Sequence, residues 1–237
     1  MNYNFDVFKE PKGFIKVIQI IFIIISLISI CSFYGTIQLN FTCTDALPEN
    51  AIVKFSYPFN LKTNNITVWN VSNIPLNGNY ESSSEFFVFI SAVSLIYCLC
   101  ALTVYILLND FLYRDPKIRK TDFVIEAVLT FLWFAIAAAW SDVAVKLKSN
   151  LASQSLCSQI LAKLSNHSNV TCNGGSDVPF GGAYVGIISS FTCFALMLCG
   201  LWFLWKETSW FQKPVQNSYE SNGMPRGDEA PADRPYY

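Results

Sequence analysis

Apolar residues are concentrated in four blocks, each about 23 residues long, that alternate with polar segments. The blocks cover 17–39, 86–108, 123–145 and 183–205. Only the third contains charged residues, Glu126 and Asp142. A helix needs roughly 20 apolar residues to cross a hydrocarbon core of about 30 Å, and backbone groups in lipid must be satisfied within the segment. The blocks therefore predict four membrane-spanning helices, and since they lack a period-two alternation, they argue against a β-barrel.

The four predicted spans divide the chain into one membrane domain and two tails. We expect an N-terminal tail over 1–16 and an all-α four-helix bundle over 17–205. Its loops at 40–85 and 146–182 lie on the same side of the membrane. The tail over 206–237 is rich in Pro, Asn and charge, so it is expected to be disordered. The first span is predicted to be a signal anchor, because its apolar stretch is longer than that of a cleaved signal peptide.

Basic residues are unevenly distributed between the two sides of the predicted membrane domain. The two tails and segment 109–122 carry 11 Lys and Arg residues, whereas the two long loops carry 5. Because basic residues accumulate on the cytosolic side, both tails are predicted to be cytosolic and both loops luminal.

Glycosylation sequons provide an independent check on this orientation, because only luminal asparagines are modified. Five sequons begin at Asn40, Asn65, Asn70, Asn166 and Asn169, all within the two loops. Asn40 directly follows the first predicted span and is expected to lie too close to the bilayer. The predicted glycosylation sites are therefore Asn65, Asn70, Asn166 and Asn169.

The cysteines also fit a luminal assignment of the loops. Five of the eight lie in spans, where they are expected to serve as small packing residues. Cys157 and Cys172 are 15 residues apart in the second loop and are expected to form a disulfide. Closing a loop of that size stabilises by about 3 kcal/mol in the chain-entropy model. Cys43 is then left over, either free or paired between loops or between chains.

Composition and motifs offer little support for an enzyme. The chain is 52% hydrophobic, 14% charged and carries a net charge of −1, so a nucleic-acid partner is not expected. Its one histidine, His167, lies between two sequons, and no cysteine or histidine spacing is typical of a metal site. We predict no catalytic residues, no metal and no cofactor.

The two acidic residues of the third span are 16 positions apart, about 24 Å along a helix and about 160° around it. They therefore cannot form a paired-carboxylate site.

Glu126 has two interpretations. It is a carboxylate at the membrane interface, or it begins a stripe that faces the bundle or a neighbouring subunit. The stripe consists of Glu126, Thr130, Trp133, Ala137 and Trp140.

Two other spans carry faces of small residues, which let helices approach closely in lipid. One face consists of Ser91, Ser94, Cys98 and Ala101, and the other of Gly182, Gly186, Ser189, Cys193 and Gly200. Packing within one bundle and contacts between copies of the chain are both open hypotheses. Glu126, Trp133, Trp140, Gly182 and Gly186 are the candidate packing or oligomer residues.

Several strings resemble those of one protein family. They are KEPKGFIKVIQ over 9–19, YPF over 57–59, GNYESSSEFFV over 78–88, WSDV over 140–143 and WFLWKETSW over 202–210. In this order they resemble the physins, the synaptophysin-like tetraspan vesicle proteins built on a MARVEL domain. The chain departs from that pattern in having a single cysteine in the first loop and a short tail without Tyr-Gly-rich repeats. The family's first-loop disulfide and tail functions therefore do not carry over.

The resemblance implies a multi-pass protein of secretory or synaptic vesicles with luminal loops. It implies homo-oligomers, association with membrane lipid including cholesterol, and binding of the v-SNARE synaptobrevin. The leading hypothesis is a non-enzymatic scaffold that sorts a v-SNARE in exocytosis. The alternatives are an oligomeric channel or transporter of the vesicle membrane, and an adhesion protein of cell junctions.

Overall fold

A computed structural model of the chain describes most of the region between the two tails. The described residues are 11–44, 47–64, 66–69, 71–112, 116–164, 170–174 and 178–207. Asn65, Asn70, Asn166, Asn169 and His167 lie outside them, as do most of the N-terminal tail and nearly all of the C-terminal tail.

The described part of the chain contains five α-helices, of which four are long and apolar enough to cross a membrane. The helices are α1 (Pro11–Cys31), α2 (Glu81–Leu112), α3 (Pro116–Leu151), α4 (Ser153–Leu161) and α5 (Gly181–Glu207). Each spanning helix packs against two neighbours in the cyclic order α1, α2, α3, α5. The predicted four-span helical bundle is confirmed.

The first span differs in position from the prediction of 17–39. Its apolar helical segment is Gly13–Cys31, and strand β1 (Tyr34–Thr42) follows. Along β1, Ile37, Leu39 and Phe41 are buried and the residues between them are exposed. This period-two alternation is that of a half-buried strand, which a count of apolar residues alone does not separate from a helix.

The segments predicted as loops contain a small antiparallel sheet. Strand β1 lies between β2 (Glu49–Ser56) and β5 (Thr171–Gly174). In this register Leu39 pairs with Ala51, and Phe41 pairs with Cys172. A separate hairpin is formed by β3 (Ile66–Val68) and β4 (Val71–Ile74). The two segments 40–85 and 146–182 are thus joined into one structure at one end of the bundle.

Aromatic side chains attach this sheet to the helices. Phe33 packs against Phe55 and Phe59, with ring centroids 5.5 and 5.8 Å away. Phe59 in turn lies 5.5 Å from Trp140 of α3, and Trp140 packs against Phe87 of α2. We call this the sheet end of the bundle. The opposite end, where α1 begins and α5 ends, we call the terminal end.

Candidate functional site

Two opposite charges are buried together inside the terminal end of the bundle. Lys16 lies near the start of α1, and its Nζ is 2.5 Å from Oε2 of Glu126 on α3. The side chains are 4% and 0% exposed. Lys16 Nζ also lies 4.5 Å from the centroid of the Tyr97 ring, within reach of a cation–π interaction. A charge buried at this depth is tolerated when a partner neutralises it, and here each charge neutralises the other.

The second carboxylate oxygen of Glu126 connects the ion pair to the other helices. Gln19 Nε2 donates to Glu126 Oε1 at 3.3 Å and to the Leu196 carbonyl of α5 at 3.2 Å. Cys98 of α2 donates from Sγ to Gln19 Oε1 at 3.5 Å. One cluster of polar groups therefore joins all four spanning helices.

A glycine on α5 makes room for this cluster. A Cβ added to Gly200 would lie 2.9 Å from Glu126 Oε1 and 3.3 Å from Gln19 Nε2. Since the first distance is below ordinary van der Waals contact, any larger residue at this position would push on the carboxylate. Glycine at 200 thus allows α5 to close over the ion pair.

A second carboxylate lies beside the cluster. Asp122 accepts a hydrogen bond from the Tyr97 hydroxyl at 2.6 Å and another from the Tyr105 hydroxyl at 2.8 Å. Tyr97 therefore contacts both carboxylate systems, through its ring face at Lys16 and its hydroxyl at Asp122. The cluster consists of Lys16, Gln19, Tyr97, Cys98, Tyr105, Asp122 and Glu126. Its chemistry is that of a cross-link between helices, because Lys16 neutralises Glu126 and the two oxygens of Asp122 accept the tyrosine hydroxyls.

The interpretation of Glu126 as a carboxylate at the membrane interface is wrong. Its side chain is fully buried and held by Lys16, which the apolar block boundaries place in the predicted N-terminal tail. Asp142 does lie at the surface, where its carboxylate is 59% exposed and 2.6 Å from Lys146 Nζ. Gln19 was the available signal for the buried cluster, since it is three residues after Lys16 on the same face of an apolar helix.

The stripe that begins at Glu126 faces the interior of its own bundle. Trp133 and Trp140 are at most 1% exposed, and Trp133 Nε1 donates to Ser94 Oγ of α2 at 2.8 Å. Thr130 Oγ1 donates to the Glu126 carbonyl at 2.7 Å. The alternative that this stripe contacts a neighbouring subunit is wrong, because these side chains leave no surface for one.

Nearly all residues of the two small-residue faces of α2 and α5 are also used inside the chain. The buried members are Ser91, Ser94, Cys98, Ala101, Gly186, Ser189, Cys193 and Gly200. A Cβ at Gly186 would lie 3.3 Å from both Trp140 Nε1 and Ser29 Cβ. Gly182 is exposed, and a Cβ there would be 3.7 Å from Phe33. Apart from Gly182, these faces therefore hold the bundle together and are not available as oligomer contacts.

The sheet end contains the disulfide predicted from the sequence. Cys157 of α4 and Cys172 of β5 are bridged, with their Cα atoms 5.7 Å apart. Cys43 follows β1 and is half-buried.

Asn40 is exposed on β1, nine residues beyond the end of α1. The prediction that Asn40 directly follows the first span is therefore wrong, because that helix ends at Cys31 and not at residue 39.

The outer surface of the four spans is apolar, whereas the described interior combines a hydrophobic core with the buried polar groups. Large apolar side chains are exposed on every spanning helix. Examples are Ile21 and Ile28 of α1, Phe89 and Ile96 of α2, Val128 and Phe131 of α3, and Ile188 and Trp202 of α5. Because its buried charges are paired inside and its outward-facing large side chains are apolar, the bundle is suited to a lipid solvent.

A comparison with protein families matches this architecture. A family model described as MARVEL, a membrane-associating domain, covers residues 7–203 of the 237. The match includes the buried cluster, the whole sheet and nearly the full length of the four spans.

Proposed function

Because the chain belongs to the MARVEL family of membrane-associating domains, which occurs in vesicle-trafficking proteins, we propose that it is a scaffold of vesicle membranes. In this proposal it is non-enzymatic, forms homo-oligomers and sorts the v-SNARE synaptobrevin in secretory or synaptic-type vesicles. The physin-like strings in the sequence support this narrower assignment within the family.

The observation that carries the proposal is the contrast between interior and surface. The polar groups of the spans are tied to one another inside, and the large side chains that face outward from the helices are apolar. A bundle of this kind interacts sideways with lipid chains or with another apolar helix. A single-span v-SNARE presents such a helix.

One outward patch is suited to close contact with a partner helix. Ala138 and Ala139 are exposed on α3, and Ala135 beside them is half-buried. Small side chains let two helices approach closely in lipid, where no hydrophobic drive holds them together. We propose that this alanine patch, Ala135, Ala138 and Ala139, contacts the v-SNARE helix.

The proposed orientation has cytosolic tails and a luminal sheet end. Lys16 is buried and no longer counts as a tail charge, so the basic residues divide 10 to 5 instead of 11 to 5. The remaining asymmetry still supports a cytosolic terminal end. The five sequons, all in the segments that build the sheet end, support the same orientation.

The experiment is site-specific photo-crosslinking in immunoisolated vesicles from secretory cells that express the full chain. A photoreactive residue at Ala139 faces outward, whereas one at the neighbouring Ala137 is buried and provides the matched control. We expect synaptobrevin adducts from position 139 and none from 137. Absence of the chain from vesicles, or equal labelling from both positions, contradicts the proposal.

The geometry gives less support to an oligomeric channel or transporter. The carboxylate that motivated that hypothesis, Glu126, is paired with Lys16 and enclosed by four helices. Ion or solute flux through purified protein in liposomes, altered by Glu126→Gln, would establish this alternative in place of the scaffold.

A further inference from the structure

A groove opens between α2 and α3 at the terminal end of the bundle. It encloses about 350 Å³. Its floor is formed by Ala101, Tyr105 and Leu204, each less than a tenth exposed, and its sides include Cys100 and Ile125. Because Cys100 and Ile125 are themselves exposed on the outer surface of the spans, the groove faces the hydrocarbon region.

Two cations line the end of this groove that is nearest the start of α3. Lys117 and Arg119 belong to the first turns of that helix, which begins at Pro116. An ammonium has three donors and a guanidinium has five, enough to bind phosphate oxygens alongside other contacts. The groove is thus apolar along its length and basic at one end.

One acidic residue, Asp122, also lines the groove and has to be taken into account. Both of its carboxylate oxygens accept hydrogen bonds from tyrosine hydroxyls, one from Tyr97 and one from Tyr105. These two donors satisfy the carboxylate and hold it against α2. Asp122 therefore forms part of the inner wall, while Lys117 and Arg119 provide the positive charge at the basic end of the groove.

We propose that the groove binds an anionic phospholipid. One acyl chain lies along the apolar floor, and the phosphate group lies against Lys117 and Arg119. Basic pockets between spanning helices are suited to anionic headgroups, which are enriched in the cytoplasmic leaflet. The leaflet assignment rests on the orientation proposed above, whereas the match between an amphipathic lipid and an amphipathic groove does not.

The first test measures lipid selectivity of the purified full chain. Native mass spectrometry compares retention of phosphatidylserine with that of phosphatidylcholine from mixed nanodiscs. The variant Lys117→Gln/Arg119→Gln removes the cations at the groove. Lys146→Gln/Lys148→Gln removes two exposed cations near the other end of the same helix and is the matched control.

We expect the wild type and the control to prefer phosphatidylserine. The preference should fall about fivefold for each cation removed at the groove. Equal retention of the two lipids by the wild type, or an unchanged preference in Lys117→Gln/Arg119→Gln, overturns the proposal. Raising the salt concentration should lower the preference of the wild type, a readout that does not require the variant to fold.

The second test identifies the occupant directly. A photoreactive residue replaces Cys100 at the groove and, in the matched control, Cys199, which is exposed on α5. We expect phosphatidylserine adducts from position 100 to exceed those from position 199. Adducts with a tail segment of the same chain, with a second copy or with another protein would assign the groove to that occupant and contradict the lipid proposal.

Discussion

Lys16 and Glu126 form a buried ion pair although 110 positions separate them in the chain. The pair joins the first spanning helix to the third, and Gln19 extends it to the fourth. In a soluble protein such a pair often adds little net stability, because burying the charges costs nearly as much as their attraction returns. Its strongest consequence is that neither residue can be changed alone.

Removing one member of the pair should destabilise the bundle far more than removing both. We expect Lys16→Met or Glu126→Leu alone to cost about 3–5 kcal/mol, because each leaves an uncompensated buried charge. The double variant Lys16→Met/Glu126→Leu should regain most of that loss. Thermal unfolding of the purified chain in detergent, followed by tryptophan fluorescence, measures the difference.

The exposed ion pair of Asp142 and Lys146 provides the control for this double-variant cycle. Asp142→Asn breaks a contact between side chains that are about 60% exposed, so its cost should stay within about 1 kcal/mol. If the double variant loses as much stability as the two single variants together, Lys16 and Glu126 do not act as a pair.

Gly200 should not tolerate even one added methyl group. A Cβ there lies 2.9 Å from Glu126 Oε1, so Gly200→Ala forces the carboxylate or α5 to move, at a cost of about 1–3 kcal/mol. The same substitution at Gly181, where nothing lies within 4 Å, is the matched control. Equal melting temperatures of the two variants would show that the cluster adapts without strain.

At the sheet end, a substitution at the buried Gly186 should likewise be more damaging than the same substitution at the exposed Gly182. Gly186→Leu places a large side chain where Trp140 and Ser29 already lie at 3.3 Å, so we expect loss of folded protein and retention in the endoplasmic reticulum. Gly182 is exposed and an added Cβ would make only an ordinary van der Waals contact with Phe33 at 3.7 Å, so Gly182→Leu should traffic normally. Fluorescence-detected size exclusion and microscopy compare the two, and normal trafficking of Gly186→Leu would contradict the packing.

The disulfide should stabilise the sheet end. It links α4 to β5, whose partner strand β1 continues from α1. Cys157→Ser/Cys172→Ser should lower stability by about 3 kcal/mol and expose the sheet end to protease. Cys199→Ser, which changes an exposed cysteine of α5, is the control. Matching cleavage rates for the two variants would mean that the sheet holds without the bridge.

Glycosylation tests the orientation and the position of the first span together. N-glycosidase should lower the apparent mass of the wild type. Replacing Asn65, Asn70, Asn166 and Asn169 by Gln should leave a residual shift from Asn40. That residue is exposed about 20 Å along β1 from Tyr34. No shift in the wild type argues against a luminal sheet end, and no residual shift argues against modification of Asn40.

The bundle could be predicted from the sequence because its main signal is local. A block such as 86–108 contains enough apolar residues to span a bilayer, and no tertiary contact is needed to recognise it. The strand β1 was missed because its first residues belong to the same uncharged block as the first helix, although Ile37 to Thr42 alternate between apolar and polar residues. Of its two partners, β2 follows after a short connection, whereas β5 is distant, with Thr171 lying 129 positions after Thr42, and that long-range pairing has no local signature.

The buried cluster was missed for a related reason. A lysine at the start of a span has the same sequence pattern whether it extends to the membrane surface or turns inward. Lys16 turns inward because Glu126 and Tyr97 meet it there, on helices that pack beside α1 or across the bundle. The small face of α2 is likewise internal because α1 places Gln19 against Cys98 and α3 places Trp133 against Ser94.

The sequence by itself therefore determined the number of spans and their helical conformation, since lipid requires every backbone group to be satisfied locally. The tertiary structure alone decided where the first span ends, which charges are neutralised inside and which small residues are covered. These depend on which side chains distant segments place next to one another, and that is a property of the packed helices and not of any single segment.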